Sequence, residues 1–296
     1  MNHPAELALH QYMTNAANGK SSISEDTIKQ VADDIAAALK RQFGGGNKRD
    51  EFRLRMSNVG RPTCQLWFQK NQPEKALPLP TTFVMNMMLG DIVEAVFKGL
   101  LKEAGVDYED NKEVTLEVDD DTSINGTYDI VIDGAVDDIK SASSWSYRNK
   151  FDSYDTLASH DSFGYVGQLA GYAKASGKRA GGWWVVNKAN GEFKYVPATN
   201  LDLDKEITKI KDTAQTVKDN TFKRCFDAVP EKFRGKETGN TVLNENCIFC
   251  SYRFACWPTL EERPAVKSQA KEPKIVPYVT LSKEYKDLEF WRGRAS

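Results

Sequence analysis

Near the middle of the chain the hydrophobic pattern changes from helical to strand-like, and this change limits the range of possible folds. The segment FVMNMMLGDIVEAVFKGLLKEAG repeats its apolar residues with the period of a helix, whereas EVTLEV, INGTYDIVI and AVDDIK alternate as strands do. The last two strands are separated by Asp133-Gly134, a dipeptide typical of two-residue hairpin turns. The chain therefore combines long helices with at least one antiparallel strand pair.

Other segments supply the elements around these strands. SEDTIKQVADDIAAALKRQF predicts a helix with Ser24 as its N-cap, the next predicted helix carries Cys64, and FGYVGQLAGYAKASG predicts a further one. The segments GGWWVVNK and EFKYVPA predict a second strand pair, followed by a polar helix over about 202–228. Because strands and helices alternate along the chain, we expect an α/β fold with a central mixed β-sheet flanked by helices.

Length and composition indicate an ordinary globular protein. The 296 residues allow one large domain or two small ones, and we expect an N-terminal helical extension at 1–50, a main domain at 51–262 and an extended appendage at 263–296. About the first twenty residues are expected to be weakly structured. The sequence has neither a signal-peptide pattern nor an apolar run of about 18 residues. We therefore expect a cytoplasmic protein that makes no membrane contact.

The predicted hairpin brings two aspartates face to face. Counting outward from a turn at Asp133-Gly134 places Asp129 directly opposite Asp138. Like charges in opposed positions destabilise a hairpin unless a divalent cation lies between them. Lys140 points to the same face as Asp138 because side chains alternate along a strand. The three groups are consistent with a metal site, although a solvated acidic hairpin explains them equally well.

Three more polar residues occupy positions that a simple amphipathic pattern does not require. Glu94 falls at the edge of the apolar stripe of its helix, where a carboxylate needs a partner. By itself it is more often a rim residue than a metal ligand. Gln168 and Tyr172 are four residues apart and share one helical face. A partly buried tyrosine with a polar neighbour is the simpler explanation of that pair, so these residues gain weight only in combination with the aspartates.

The cysteines form a second pattern. Cys247, Cys250 and Cys256 have C-x2-C-x5-C spacing, while Cys64 and Cys225 lie far from them in sequence. An odd number of cysteines in a chain without an export signal argues against disulfides. Four thiolates around a metal, with one cysteine left over, account for the number better. Zinc and iron–sulfur clusters both take four thiolates, so the residues leave the metal open.

In chain order these features are Cys64, GDIVEA, GTYD, DIK, QLAGY and C-x2-C-x5-C. Their order resembles the PD-(D/E)XK nuclease superfamily, and in particular its RecB-like and AddB-like iron–sulfur branch, which includes CRISPR-adaptation nucleases and many phage-encoded proteins. The resemblance runs from about residue 57 to 258. Each motif is weak alone, and the six in this order are specific. The resemblance implies a restriction-endonuclease-like core and an iron–sulfur clasp that joins N- and C-terminal segments.

The resemblance also implies a role for each residue. Carried over by position, Asp129 is a metal-binding aspartate, Asp138 is the acid of the (D/E)xK pair and Lys140 is the catalytic lysine. Gln168 and Tyr172 match the QxxxY helix, which supports the active site and DNA binding. The remaining implied ligands are Glu94 and the Ile139 carbonyl for Mg²⁺ or Mn²⁺, and Cys64, Cys247, Cys250 and Cys256 for a 4Fe–4S cluster. Many members carry histidine where this chain has glutamate, which leaves the preferred divalent metal open.

The implied function is that of a Mg²⁺- or Mn²⁺-dependent deoxyribonuclease, most simply an exonuclease, in DNA recombination, repair or phage DNA processing. Single-stranded DNA or a duplex end would be its substrate, and a helicase or recombination protein its partner, in the host cytoplasm if the protein is phage-encoded. The residues that flank the motifs and could contact DNA are Arg148, Lys150, Lys174, Lys178, Arg179, Trp145, Tyr147 and Tyr154.

Two other functions fit the same sequence. A non-catalytic DNA-binding module could keep the nuclease fold as an interaction platform. The acid pair beside a lysine argues against that alternative, because an inactive copy has no need of it. A zinc-stabilised structural protein would use the same cysteines, and metal analysis separates it from an iron–sulfur protein.

Overall fold

The computed structural model describes residues 3–44, 51–265, 268 and 270–286. The fold is α/β, with mixed and antiparallel sheets flanked by helices, as the sequence predicts. The chain divides into two compact units, and each unit takes two separate segments of sequence. The first unit is Met1–Arg61 with Leu79–Asp219, and the second is Pro62–Pro78 with Asn220–Ser296. Every helix within the described ranges is too short or too polar to span a bilayer.

The elements alternate between helices and strands along the chain. The described α-helices are α1 Pro4–Ala17, α2 Glu25–Phe43, α3 Thr63–Asn71, α4 Thr81–Glu103, α5 Tyr154–Ser159, α6 Tyr165–Ser176, α7 Leu203–Asp219, α8 Arg253–Cys256 and α9 Lys283–Lys286. The described strands are β1 Lys112–Asp119, β2 Thr122–Tyr128, β3 Ile130–Ile132, β4 Ala135–Ala142, β5 Arg179–Asn187, β6 Phe193–Pro197, β7 Val229–Phe233, β8 Lys236–Val242, β9 Glu261–Pro264 and β10 Ile275–Thr280.

The first unit contains a four-stranded mixed sheet with the order β3-β4-β5-β6. Strands β4 and β5 are parallel, and the two outer pairs are antiparallel. The β3–β4 turn has positive φ at both Asp133 (51°) and Gly134 (72°), as a two-residue hairpin with the sheet's right-handed twist requires. The predicted register is confirmed, since Val131 pairs with Val136. The segment INGTYDIVI is split, because β2 pairs with β1 in a separate hairpin.

Two apolar layers cover the two faces of this sheet. Adjacent residues of β5 point to opposite faces, so Trp183 packs with the apolar residues of α6 and α7 while Trp184 packs with those of α1 and α4. Both tryptophans are fully buried. Because both faces are covered, β4 presents its polar residues inside the protein rather than to solvent.

The amino-terminal segment differs from the prediction. Residues expected to be weakly structured form α1, in which Leu9 is 1% exposed and belongs to the cluster around Trp184. The side chain of His3 accepts a hydrogen bond from the Ala5 N–H (3.2 Å), and proline at the first helical position suits a helix start. The apolar residues of this segment recur at helical spacing, although its mixed composition does not by itself predict a stable helix. Burial of these residues against the sheet stabilises α1.

The structure after β6 differs from two further predictions. The polar helix expected to reach 228 ends at Asp219, where Asn220 takes a left-handed conformation (φ 55°). The expected extended appendage includes β10, which lies inside an antiparallel sheet of order β7-β8-β10-β9. Burial of Tyr278 accounts for this pairing. Residues 287–296 of the predicted appendage lie outside the described residues.

Candidate functional site

Two aspartates meet where the chain passes from the β1–β2 hairpin to the main sheet. Asp129 lies in the break between β2 and β3, and one of its carboxylate oxygens accepts a hydrogen bond from the Ile139 N–H (2.7 Å). Asp138 is 2% exposed on β4, and burial together with its charge raises the pKa of Asp129, so the two carboxyl groups are close neighbours. The hairpin register therefore brings together the two carboxylates that the sequence placed opposite each other.

Lys140 is shared by this acid pair. Its Nζ lies 2.7 Å from Oδ1 and 2.6 Å from Oδ2 of Asp138. Burial, and then the charge of Asp138, raise the pKa of Asp129 to about 7. Burial also raises the pKa of Asp138, although Lys140 opposes that shift. Burial works against the charged form of Lys140, but the two aspartates outweigh it and raise the lysine's pKa. The cluster thus combines two carboxyl groups with one cation.

Glu94 approaches the same cluster from α4. One turn earlier, a Cβ added at Gly90 would lie 3.6 Å from the Ser141 Oγ, so α4 passes close to β4 at this point. Burial, and then the charge of Asp129, raise the pKa of Glu94. The Nζ of buried Lys98 lies 2.8 Å from the Glu94 carboxylate. The glutamate is therefore a third acid of the cluster, and it already has a cationic partner.

The Gln168–Tyr172 pair lies beside these acids. The Gln168 amide donates to the Tyr172 hydroxyl (3.1 Å), as their helical spacing predicts. Burial, and then the charge of Asp138, raise the pKa of Tyr172. A Cβ at Gly126, in the GTYD segment, would lie only 2.7 Å from the Tyr172 ring. Because Gly126 has no side chain, the Tyr172 ring can pack directly against β2.

Asp137 is an acid that sequence reasoning did not single out, and it points to the opposite face of β4. It is 1% exposed and accepts hydrogen bonds from the Gly182 N–H (2.8 Å), the Trp184 indole (3.2 Å) and the Tyr195 hydroxyl (2.9 Å). Burial raises its pKa to about 7, against those three donors. Three donors satisfy this carboxyl group, so its role is structural. A Cβ at Gly181 would overlap it.

The residues expected to contact DNA fall in different places. Lys178 pairs with a glutamate (2.7 Å), and Arg179 donates to a backbone carbonyl of the hairpin turn, at the opposite end of β4 from Lys140. Tyr147 and Tyr154 pack against the main apolar cluster. The Trp145 side chain is 67% exposed in the loop after β4, and the buried Lys150 ends the short π-helical turn of that loop.

All five cysteines belong to the second unit. Cys64 is the second residue of α3, Cys247 ends a short 3₁₀ helix, and Cys256 ends α8. The Cys225 Sγ accepts a hydrogen bond from the Cys64 N–H (3.1 Å). No sequence pattern predicts this contact, because Cys225 lies outside the C-x2-C-x5-C segment.

The thiols influence one another's ionisation. A hydrogen bond between the two side chains lowers the pKa of Cys225 to about 6 and raises that of Cys64. Burial, and then the charges of Cys250 and Cys256, raise the pKa of Cys247 to about 12. Across the described ranges, no three or more histidine, cysteine or acidic side chains are already grouped as a metal site.

No protein-family model and no curated protein sequence matches the chain. Among solved structures, the fold is similar to that of SSO0001, with 14% sequence identity over 75% of this chain and 92% of that chain. The TM-score of 0.42 is too low for this likeness to carry any argument about function.

Proposed function

We propose that this protein is a metal-dependent deoxyribonuclease with a restriction-endonuclease-like core of the PD-(D/E)XK type. The observation that carries the proposal is the buried cluster of Asp129, Asp138 and Lys140, with Glu94 coupled to it electrostatically. Burial and the charge of Asp138 raise the pKa of Asp129, and carboxyl groups perturbed by burial and a like charge cluster at functional sites. This supports the roles that the motif order implies.

The residues of the cluster fit a hard divalent cation. Asp129, Asp138 and Glu94, with the Ile139 carbonyl, would hold Mg²⁺ or Mn²⁺, because these ions prefer oxygen ligands. The Asp138 Oδ2 is buried and, among the described residues, makes no hydrogen bond in addition to its ion pair with Lys140. A bound cation would make a water more acidic and polarise the phosphate.

Lys140 is suited to stabilising charge during phosphodiester hydrolysis. Its raised pKa keeps the ammonium group protonated at neutral pH, so it acts as a fixed positive charge rather than as a base. Asp138 orients this group through the 2.7 Å hydrogen bond. Water attacks phosphorus and a P–O bond breaks, which leaves one DNA product with a phosphate and the other with a hydroxyl. The Gln168–Tyr172 pair would support the strand that carries the acids.

The cysteines of the second unit are proposed to bind a 4Fe–4S cluster through Cys64, Cys247, Cys250 and Cys256. Thiolates are the ligands that such clusters use. Pro62–Pro78 and Asn220–Ser296 belong to one compact unit, which supports a shared metal between the two segments. The cluster would act as a clasp, because a site closed by four protein ligands offers no place for a phosphate.

The biological setting follows from the same proposal. The substrate would be single-stranded DNA or a duplex end, and exonucleolytic cleavage would serve recombination, repair or phage DNA processing. A helicase or recombination protein would present the DNA, in the cytoplasm of the cell or of a phage host.

A cleavage assay tests the proposed function directly. Anaerobically purified protein is incubated with end-labelled single- and double-stranded DNA, with and without Mg²⁺ or Mn²⁺. Wild type should cleave only with metal, and Lys140→Ala should cleave at least about 10³-fold more slowly because it removes a charge at the phosphate. Lys211→Ala removes an exposed lysine of α7 and should retain full activity. Equal cleavage by wild type and Lys140→Ala would reject the nuclease assignment.

A further inference from the structure

Lys150 is a buried cation close to the candidate site. It is 8% exposed, at the end of the turn that follows β4. Its ammonium group lies 4.5 Å from the centre of the Tyr165 ring and 4.8 Å from the centre of the Phe163 ring. The Lys140 ammonium group lies 4.9 Å from the centre of the same Tyr165 ring. Two lysines of the loop and strand therefore converge on one aromatic side chain.

The two lysines differ in their partners. Lys140 is paired with Asp138, whereas Lys150, within the described residues, makes neither an ion pair nor a hydrogen bond. Burial lowers the pKa of Lys150; the charge of Lys140 lowers it further and that of Asp161 raises it. Aromatic faces attract a cation but do not accept its N–H groups as an anion does. The stem of Lys150 is buried but its ammonium nitrogen reaches solvent, so an anion that enters from solvent can bind it.

Asp161 is the acid whose charge opposes the lowering of the Lys150 pKa by burial, but its carboxylate already accepts three other hydrogen bonds. The Asp161 carboxylate accepts hydrogen bonds from the backbone N–H groups of Gly164 (3.0 Å), Tyr165 (2.9 Å) and Val166 (2.8 Å), and so stabilises the start of α6. The hydrogen bonds of Asp161 therefore go to the start of α6 and not to Lys150. The acceptor that suits Lys150 is an anion that enters beside Tyr165.

We infer that Lys150 binds a DNA phosphate next to the phosphate that is attacked beside Lys140. This inference rests on the proposed function and gives it a positioning residue. A phosphodiester supplies the oxygen acceptors that the ammonium group lacks, and the neighbouring phosphate of the same strand reaches Lys140. Phe163, 45% exposed, forms the outer wall of this position. Lys150 thus contributes to substrate binding and register, while Lys140 acts on the reacting phosphate.

The test measures affinity and salt dependence separately from cleavage. Binding of a fluorescent single-stranded oligonucleotide in Ca²⁺ is followed by anisotropy at several salt concentrations. Lys150→Met should raise Kd about tenfold and reduce the slope of log Kd against log salt by about one, because one phosphate contact is lost. In the cleavage assay KM should rise with little change in kcat. Lys150→Arg keeps the charge and should restore both the affinity and the slope.

Lys194→Met is the matched control. Lys194 also lies over a tyrosine ring, Tyr147 at 4.5 Å, but on the edge strand β6. It should bind DNA as wild type does. If Lys150→Met does not fold by circular dichroism, Lys150→Gln carries the same expectations. Wild-type Kd and salt slope in a folded neutral variant at this position would overturn the inference. Failure of the proposed function would give a different result. The wild-type protein would then cleave DNA equally well without metal, and Lys140→Ala would cleave it as fast as wild type.

Discussion

The acid site of the first unit and the cysteine site of the second are assembled in different ways. Asp129, Asp138 and Lys140 are brought together by one hairpin register. The thiols come from a helix, a loop, a 3₁₀ helix, a turn and a second short helix. The Cys64 N–H donates a hydrogen bond to the Cys225 sulfur (3.1 Å), a contact that joins two segments distant in sequence. Backbone pairing therefore holds charges together against their repulsion in one unit, whereas in the other unit the proposed cluster would have to draw the thiols together.

The largest effect on stability is expected when a proposed ligand of the iron–sulfur cluster is removed. Cys247→Ser should lose the iron and the brown colour of anaerobically purified protein. The second unit should lose about 5 kcal/mol of unfolding free energy, the scale expected for a cross-link that closes a very long loop. Metal analysis and thermal unfolding measure the two effects. Full iron content in this variant would mean that the C-x2-C-x5-C segment is not a cluster site.

Sequence patterns predicted the hairpin that carries Asp129, Asp138 and Lys140 correctly because its geometry is local. Asp133-Gly134 allows a two-residue turn, and strand alternation then determines where Asp129, Asp138 and Lys140 point. The approach of Glu94 needed the packing of α4 on β4, which no local pattern encodes. The position of Tyr165 was missed for the same reason, since its ring lies at the start of α6 and meets lysines from β4 and from the turn after β4.

The second unit was predicted poorly because its contacts are long-range. Strand β10 lies in a segment rich in proline and lysine, and its pairing depends on Tyr278, whose hydroxyl donates to the Glu231 carboxylate (2.6 Å). Such a partner is not visible in a local window of sequence. The contact between Cys64 and Cys225 likewise crosses most of the chain.

The pH dependence of the unfolding free energy should distinguish the acid site from a stabilising ion pair. A carboxylate in such a pair stabilises the folded protein more as pH rises, whereas the metal-free acid site should destabilise it. Folding raises the pKa of Asp129 from about 4 to about 7, so the folded protein holds more protons than the unfolded chain across that interval. The unfolding free energy of the metal-free protein should therefore fall as pH rises from about 4 to 7. Mg²⁺ should restore stability above pH 7.

Asp129→Asn tests this directly. The variant should be about 2 kcal/mol more stable than metal-free wild type at pH 7.5, with a flatter pH dependence, because the repulsion with Asp138 is removed. It should also lose Mg²⁺ stabilisation and cleavage. Asp121→Asn, at an exposed turn, serves as the control and should match wild type in chemical denaturation. Equal pH profiles of wild type and Asp129→Asn would show that the aspartates do not oppose each other.

The smallest effect is expected for Cys225→Ser, and it decides which thiol completes the cluster. Cys225 is exposed, and its sulfur accepts hydrogen bonds from the Cys64 N–H and interacts with the Thr63 hydroxyl at 3.4 Å. A serine oxygen can accept the same N–H, so this variant should keep its iron and lose less than about 1 kcal/mol. Cys64→Ser should lose the iron, as Cys247→Ser does. The reverse result, with iron lost from Cys225→Ser and kept in Cys64→Ser, would assign the fourth thiolate to Cys225. The cluster would then lie wholly within the carboxyl-terminal segment, and α3 would be held by its aromatic packing and its hydrogen bonds to Asn220 rather than by a metal ligand.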